Sequence, residues 1–257
     1  AQTIALKPVP FTASLVKEAY PDFQDISEKV LEQLARRADG NPYFLEEMVK
    51  SLQQARLDAG SPTNTDALTE LHAQLPNTLK TMLQARIDSL SREARAIALL
   101  ASVVGRVFWV GAVVAASRQP TSTGLLNLPV PVIERVVQNA LRELIEAELA
   151  FPRAGSVFAG EQEYIFKHSI LRDVAYSLLP LKYRKLYHHA VAKWLSGRAG
   201  PDFQVMVAEH FELGGDINAA IRHYQQAAKY AHSRGAKEEV QWLLAKIDSL
   251  VKGRVPA

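Results

Sequence analysis

Apolar residues recur at helical spacing along most of the chain, and one clear strand signal interrupts this pattern. The helical segments of the second half are residues 132–147, 181–195, 203–213, 218–232 and 237–251. Apolar side chains three and four residues apart share one face of a helix. Residues 149–151 and 164–166 flank a turn-rich stretch with Gly155 and Gly160, and this arrangement predicts a β-hairpin. The sequence therefore predicts a mainly α fold with one β-hairpin.

The order of these elements divides the chain into three parts. A winged helix consists of three helices followed by a hairpin. Because residues 91–179 show this order, we predict a winged-helix domain there. Phe203 and Lys237 begin helices that are 34 positions apart, which is the period of tetratricopeptide repeats. We therefore predict the start of a tetratricopeptide-like array of helical pairs over residues 180–257. Residues 1–90 form a separate, largely helical part.

Composition excludes several classes of protein. Of the 257 residues, 48% are hydrophobic and 22% are charged, as in ordinary globular proteins rather than disordered ones. The net charge of +3 is too small to predict binding to nucleic acid or an anionic membrane. The absence of cysteine excludes disulfides and thiolate catalysis. No apolar run approaches the roughly 20 residues of a membrane span, and no secretory signal is present, so we expect no membrane partner and a cytoplasmic location.

The string Gly40-Asn41-Pro42 has two interpretations. Gly40 suits the left-handed end of one helix, Asn41 caps the next, and Pro42 fits the first helical turn, where no backbone N–H is needed. These roles account for the string as a tight connection between helices. The alternative is a binding role, in which Pro42 and Tyr43 offer an apolar face against which a purine can pack.

His168 lies between the predicted strand 164–166 and a predicted helix over Ser169–Leu178. In a functional interpretation its ring donates a hydrogen bond to a phosphate oxygen, and the free N–H groups of the helix start assist. Arg172 lies one turn further on and can reach the same anion, or it can pair with Asp173 or Glu163. In the alternative interpretation His168 is a structural histidine.

Other polar groups are interpreted as surface features. Helix 181–195 carries a basic and aromatic stretch of Lys182, Tyr183, Arg184, Lys185, Tyr187, His188 and His189. We interpret it as a solvated helix face rather than a nucleic-acid patch. Glutamates outnumber arginines around helix 132–147, the recognition helix of a winged helix, so we do not expect DNA as a partner. No spacing predicts a catalytic constellation or a metal site.

Four blocks of sequence together resemble a known family. They are GNPYFLEEMVKSL, LPNTLKTMLQARIDSLSREAR, YIFKHSILRDVAYSLLP, and AEHFELGGD followed by small and aromatic residues. In this order and spacing they resemble the STAND signal-transduction ATPases. The similarity is to the bacterial branch found beside class III adenylate and guanylate cyclase domains and in large LuxR-type regulators.

This resemblance implies an ATPase core followed by a helical lid, a winged helix and a repeat array. Residues 1–90 then hold the last strand of the core, at 3–6, and the lid. The resemblance assigns an adenine contact to Pro42, with Gly40 and Tyr43 as further candidates. It assigns a contact with the β-phosphate of ADP to His168, with Arg172 as a further candidate.

The chain contains no GxxxxGK[ST] phosphate loop and begins at Ala1 rather than Met. We therefore expect a non-catalytic regulatory piece of a larger ATP- or ADP-dependent switch, with the upstream ATPase core as its partner in cis. The parent protein is expected to be an ATPase linked to a cyclase or to transcription regulation, and this piece alone to hold no nucleotide tightly. The repeats are expected to bind a protein or a small ligand. Two alternatives stay open: a winged-helix nucleic-acid-binding module and a pure protein-interaction scaffold.

Overall fold

A computed structural model describes residues 12–20, 26, 28–38, 41–58, 78–120 and 129–253. Within these residues the protein has twelve α-helices, one short 3-10 helix and three short strands. The prediction of a mainly α fold is confirmed. The chain divides into two compact units, Ala1–Ala85 and Arg86–Ala257, and the division lies inside helix α4 (Leu79–Asp88).

The first unit is built from helices with one apolar face each. They are α1 (Ala13–Ala19), α2 (Glu28–Ala38), α3 (Pro42–Asp58) and the beginning of α4. Their buried side chains include Val16, Val30, Leu31, Leu34, Met48, Leu52 and Met82. Because α2 contributes residues three and four apart, its helical spacing explains why that face is buried. Gly40 and the predicted strand 3–6 lie outside the described residues.

The second unit begins with helices and strands that alternate. These elements are α5 (Arg92–Val104), β1 (Val107–Trp109), α6 (Val110–Ser117), α7 (Val130–Glu146), β2 (Ala150–Pro152) and β3 (Glu163–Phe166). We call this part the sheet region. Helix α8 (Ser169–Leu178) follows β3 directly and packs against α5.

The three strands form one antiparallel sheet in the order β1-β3-β2. Phe108 of β1 lies opposite Tyr164, and Phe151 of β2 lies opposite Ile165. The predicted hairpin is confirmed, but the prediction of one hairpin alone was incomplete because β1 adds a third strand. Strand β1 ends at Trp109, and α6 begins at the next residue, Val110. A three-residue strand within an apolar run shows no alternation of apolar and polar residues that would distinguish it from a helix. Strand β1 forms because it pairs with a distant segment.

Helix α7 ends in a turn that leads directly into β2. Glu148 adopts a left-handed conformation with φ of 52°. The N–H of Leu149 donates to the carbonyl of Leu144 at 2.8 Å, which closes the helix end. The carboxylate of Glu148 accepts from Nζ of Lys167 at 3.1 Å. The end of α7 is thereby tied to the residue that follows β3.

The last four helices form a consecutive array. They are α9 (Leu181–Ser196), α10 (Gln204–Leu213), α11 (Ile217–Ser233) and α12 (Lys237–Lys252), with a 3-10 turn at Pro201–Phe203 before α10. Each packs against the next, and α9 also packs against α5 and α6 of the sheet region. We call these helices the helical array. The predicted bounds of all four are confirmed to within one residue. No helix in the described part of the chain has the length and apolar character that a membrane crossing requires.

Candidate functional site

Pro42 lies at the surface of the first unit, in the first turn of α3. The side-chain oxygen of Asn41 accepts from the N–H of Tyr43 at 3.1 Å and from the N–H of Phe44 at 3.2 Å. The predicted capping role of Asn41 is therefore confirmed. Pro42 itself is exposed, whereas Tyr43 is half-buried and its hydroxyl oxygen is buried. Of the two residues considered as an apolar face for a purine, Pro42 is therefore the more exposed.

His168 belongs to the second unit and occupies the junction predicted for it. It immediately precedes α8, with an extended backbone at φ −132° and ψ 148°, and its side chain does not cap the helix. The residue is half-buried, and its Nε2 atom is buried. Contact between Nε2 and a phosphate would therefore require the side chain to rotate.

Arg172 holds α8 against α5. Its Nε donates to the carbonyl of Ser102 at 2.7 Å, and its Nη1 donates to Asp173 at 3.2 Å. The guanidinium also lies 4.8 Å from the centre of the Tyr176 ring. Of the two roles considered from the sequence, these contacts favour pairing with Asp173.

A chain of buried polar groups, which the sequence did not indicate, lies between the sheet region and the helical array. The hydroxyl of Tyr176 lies 2.8 Å from Nε2 of His188. The Nδ1 atoms of His188 and His210 are 3.0 Å apart, and Nε2 of His210 lies 3.3 Å from the carbonyl oxygen of Val104. We call these four residues the histidine chain. It connects α5, α8, α9 and α10.

One set of proton positions satisfies every bond in the histidine chain. A carbonyl only accepts, so Nε2 of His210 carries a proton and donates to Val104. In a neutral ring the Nδ1 of His210 then accepts from the Nδ1–H of His188. The remaining nitrogen of His188 accepts from the hydroxyl of Tyr176. With both imidazoles neutral, each ring thus donates one bond and accepts one.

The surroundings keep both rings neutral. Burial lowers the pKa of His188 to about 3, and the nearby His210, Arg172 and Arg184 also disfavour its charged form. Burial lowers the pKa of His210 to about 4. The bond to Val104 raises this pKa, and the charge of Arg172 lowers it further. Loss of solvation is the dominant cause in each case.

The interpretation of α9 as a solvated face was wrong for two of its residues. Tyr187 and His188 are each 2% exposed, whereas Lys182 and Lys185 are exposed. Helix α9 is covered on one side by α5 and α6 and on another by α10, and these contacts bury Tyr187 and His188. The available signal was the apolar spacing of Tyr187 and Val191, which the neighbouring charges obscured.

Arg184 caps the end of α8 from the next helix. Its Nη2 donates to the carbonyl of Tyr176 at 3.0 Å, and its Nε donates to the carbonyl of Leu179 at 3.2 Å. Its guanidinium lies 4.5 Å from the centre of the Tyr176 ring. Carbonyl groups at the end of a helix lack hydrogen-bond donors within the helix, and Arg184 provides such donors here.

Glu212 links the last three helices of the array. It accepts from the hydroxyl of Tyr224 at 2.9 Å and from Nζ of Lys246 at 2.8 Å. Burial and the bond to Glu212 raise the pKa of Tyr224. Within the described residues no three histidine or carboxylate side chains form a possible metal site.

One family model matches part of the chain, and its description is a domain of unknown function, DUF8739. The match covers residues 23–59, which contain α2, α3 and the connection that carries Pro42. No curated protein and no solved structure matches the chain. The family match therefore falls on the helix pair of the first unit and does not reach His168.

Proposed function

We propose that this chain is a non-catalytic regulatory segment of an ATP- or ADP-dependent signal-transduction switch of the STAND kind. The observation that carries the proposal is the position of His168, which lies between β3 and the N-terminus of α8. A helix start offers free N–H groups and a favourable dipole to an anion. In this proposal the first unit is the lid, the sheet region with α8 is the winged helix, and the helical array begins the repeats.

The order of elements in the sheet region supports the winged-helix assignment. Helix α5, strand β1, helices α6 and α7, and strands β2 and β3 follow each other as in winged-helix domains, and β3 lies between the other two strands.

The contacts within the helical array support the repeat assignment. Lys246 and Glu212 are 34 residues apart in the chain and form a direct ion pair. Equivalent helices of successive tetratricopeptide repeats are separated by this number of residues. On the same assignment, these repeats bind a protein or a small-ligand partner.

The proposed nucleotide contacts divide between the two units. Pro42 is assigned the adenine contact because its ring is exposed at the start of α3. His168 is assigned the β-phosphate contact after rotation of its ring. Arg172 is assigned a structural role because its guanidinium already binds Ser102 and Asp173. Without a phosphate loop these groups leave most of the charge of a nucleotide unpaired, so binding requires an ATPase core in cis.

We also propose that the winged helix does not recognise DNA. The exposed charges of α7 are Glu134, Arg135, Arg142 and Glu146, which sum to zero. Binding to duplex DNA requires a surplus of basic groups toward the phosphates. A gel-shift titration at about 150 mM salt is expected to give no sequence-dependent nanomolar binding. Such binding would favour the nucleic-acid-binding alternative.

The decisive experiment compares His168→Ala with Lys167→Ala in a protein that joins this chain to its ATPase core. We expect His168→Ala to accelerate ADP release about 5- to 150-fold, because one hydrogen bond to phosphate is worth about 1–3 kcal/mol. Lys167→Ala removes a charge at the neighbouring position and is expected to leave release nearly unchanged. Pro42→Ala is expected to act like His168→Ala, but more weakly.

Thermal unfolding of the isolated chain provides the second half of this test. If His168→Ala lowers its melting temperature and leaves ADP release in the joined protein unchanged, then His168 is a structural residue and the proposal is wrong. Calorimetry of the isolated chain is expected to show no sub-micromolar affinity for ADP or ATP. If the chain is a pure scaffold, neither His168→Ala nor Pro42→Ala should change the rate of ADP release.

A further inference from the structure

The loop that joins β2 to β3 is exposed along most of its length and carries a single buried apolar side chain. Within residues 153–162, Phe158 is only 5% exposed, whereas the preceding Val157 is 57% exposed. Gly155 and Gly160 lie on either side of Phe158, and Gly160 has a φ of 78° that few other residues adopt. The loop is therefore attached to the protein at few points.

Phe158 inserts into an aromatic cluster that belongs to other elements. Its ring centre lies 4.7 Å from that of Trp109 in β1 and 5.6 Å from that of Trp194 in α9. It also lies 5.1 Å from the ring of Phe203 in the 3-10 turn before α10. The anchor of a loop from the sheet region is thus formed largely by the helical array.

Glu161 provides a second attachment. Its carboxylate accepts from the N–H of Gly111, in the first turn of α6, at 3.2 Å. It also forms an ion pair with Arg198 at 3.3 Å, just beyond α9. A negative charge at a helix start is favourable because the helix dipole is positive there. This contact again connects the loop to both α6 and the array.

The base of the loop is held independently of these attachments. Glu163 is 4% exposed and accepts from Nε1 of Trp109 at 2.9 Å. It also accepts from the N–H of Val157 at 3.2 Å and from Arg153 at 2.6 Å. An open cavity of about 280 Å³ is lined by the two ends of the loop, including Gly155, Ser156, Glu161 and Glu163.

We propose that residues 153–162 form a latch that closes the sheet region onto the helical array and opens locally. Phe158 and Glu161 are its contacts with the helical array. Glu163 and Gln162, whose carbonyl accepts from the N–H of Val110 at 3.1 Å, keep the base in place when those contacts separate. Local opening is expected where a segment has few buried contacts and an exposed backbone. Opening would uncover the aromatic rings of Trp109 and Trp194.

The latch does not depend on the proposed nucleotide switch, since every contact in it lies within the second unit. If the switch proposal holds, the latch also determines whether a signal received by the array reaches the sheet region. The experiment therefore uses the chain without nucleotide. Failure of the latch leaves the ADP-release test unaffected, and failure of that test leaves the latch unaffected.

The test measures Phe158→Ala and Val157→Ala in a Trp242→Phe background. Trp242 is 50% exposed, and its removal leaves the two tryptophans of the cluster, out of three in the chain, as fluorescent reporters. Val157→Ala removes an exposed apolar side chain from the same loop and serves as the matched control. Glu161→Gln weakens the second attachment without creating a cavity.

For Phe158→Ala we expect amide exchange at Gly111 to accelerate by about tenfold or more, with stronger acrylamide quenching of both tryptophans, whereas the amide of Val157 stays protected by its bond to Glu163. Exchange in α5, α8 and α11 should stay unchanged, and Val157→Ala should leave all readouts unchanged. For Glu161→Gln we expect a smaller acceleration, confined to Gly111. Unchanged exchange at Gly111 in both Phe158→Ala and Glu161→Gln would overturn the proposal. Equal acceleration of amide exchange in all helices of Phe158→Ala and Glu161→Gln would also overturn it, because the loop would then unfold only together with the core.

Discussion

Two sets of contacts join the sheet region to the helical array, and they are built in opposite ways. The histidine chain consists of polar groups, and His188 and His210 are 2% and 6% exposed. The latch consists of one aromatic ring and one carboxylate on a loop that is otherwise largely exposed. Both connect to α9, since His188 and Trp194 belong to that helix.

The difference determines which contact can open. Separating the histidine chain would leave buried donors and acceptors without partners, which costs about 1–3 kcal/mol for each group. Separating the latch returns Glu161 to water, where a carboxylate is well solvated, and exposes one buried phenylalanine ring, which costs about 1.5–3 kcal/mol in total. The comparison teaches that the histidine chain is a fixed joint and that the latch is a releasable one.

Removing the central ring of the histidine chain is expected to have the largest effect. His188→Ala deletes two hydrogen bonds and opens a cavity, so we expect a loss of about 4 kcal/mol in the free energy of unfolding. Urea unfolding followed by circular dichroism measures it. The control is His189→Ala, because His189 is half-buried and its ring only meets the edge of Phe211 at 5.8 Å. Equal losses in the two variants would refute the fixed joint.

Acid is expected to break the same joint. The pKa values of His188 and His210 are lowered to about 3 and about 4, so the unfolded chain binds more protons below pH 6.5. The stabilisation is present above that pH and is lost as the pH falls toward 4. Between pH 7 and pH 5 we expect each histidine to contribute a loss of about 2 kcal/mol. Urea midpoints at the two pH values test this, and His188→Gln should show about half the pH dependence of the natural chain.

Arg184→Lys tests the cap that holds the Tyr176 end of the chain. A lysine keeps the charge but loses the fork that reaches the carbonyls of Tyr176 and Leu179 together. We expect a loss of about 1 kcal/mol, visible as a lower melting temperature. Lys182→Ala changes an exposed cation on the same helix and should have less than half of this effect. A larger effect for Lys182→Ala would assign the stabilisation to surface charge.

Gly111→Ala is expected to loosen the latch with the smallest change in overall stability. A Cβ at this position would lie 2.7 Å from the carboxylate of Glu161 and from Nε1 of Trp194. Alanine favours the helix over glycine by about 0.5–1 kcal/mol, which offsets part of the displacement. We therefore expect a net change below about 1 kcal/mol but faster amide exchange at position 111. Gly155→Ala is the control, since a Cβ there meets nothing within 4 Å. Identical exchange in the two variants would contradict the latch geometry.

Local patterns in the sequence were sufficient to predict most helices and the hairpin. The bounds of α9 and α12 follow from apolar spacing and from glycine or proline at their ends, which are properties of neighbouring residues. Strand β1 could not be predicted in this way because its pairing with Glu163 and Ile165 is set by the fold.

The histidine chain and the latch were not predictable for the same reason. His188 and His210 are 22 residues apart, and His210 lies 106 residues from Val104. Each histidine alone resembles a surface residue, and only their convergence makes them a buried pair. Phe158 gave a weak signal as an aromatic residue within a turn-rich segment. By contrast, the junction at His168 was predictable because strand and helix signals meet there.

The left-handed Glu148 at the end of α7 has a consequence for which residues this position tolerates. A side chain in that conformation costs about 1 kcal/mol relative to glycine, so Glu148→Gly would relieve backbone strain. The same substitution would release Lys167, the residue next to His168, from its carboxylate. Selection for stability alone would then favour glycine or asparagine at this position. Glutamate at this position therefore combines about 1 kcal/mol of backbone strain with an ion pair that ties the end of α7 to the residue after β3.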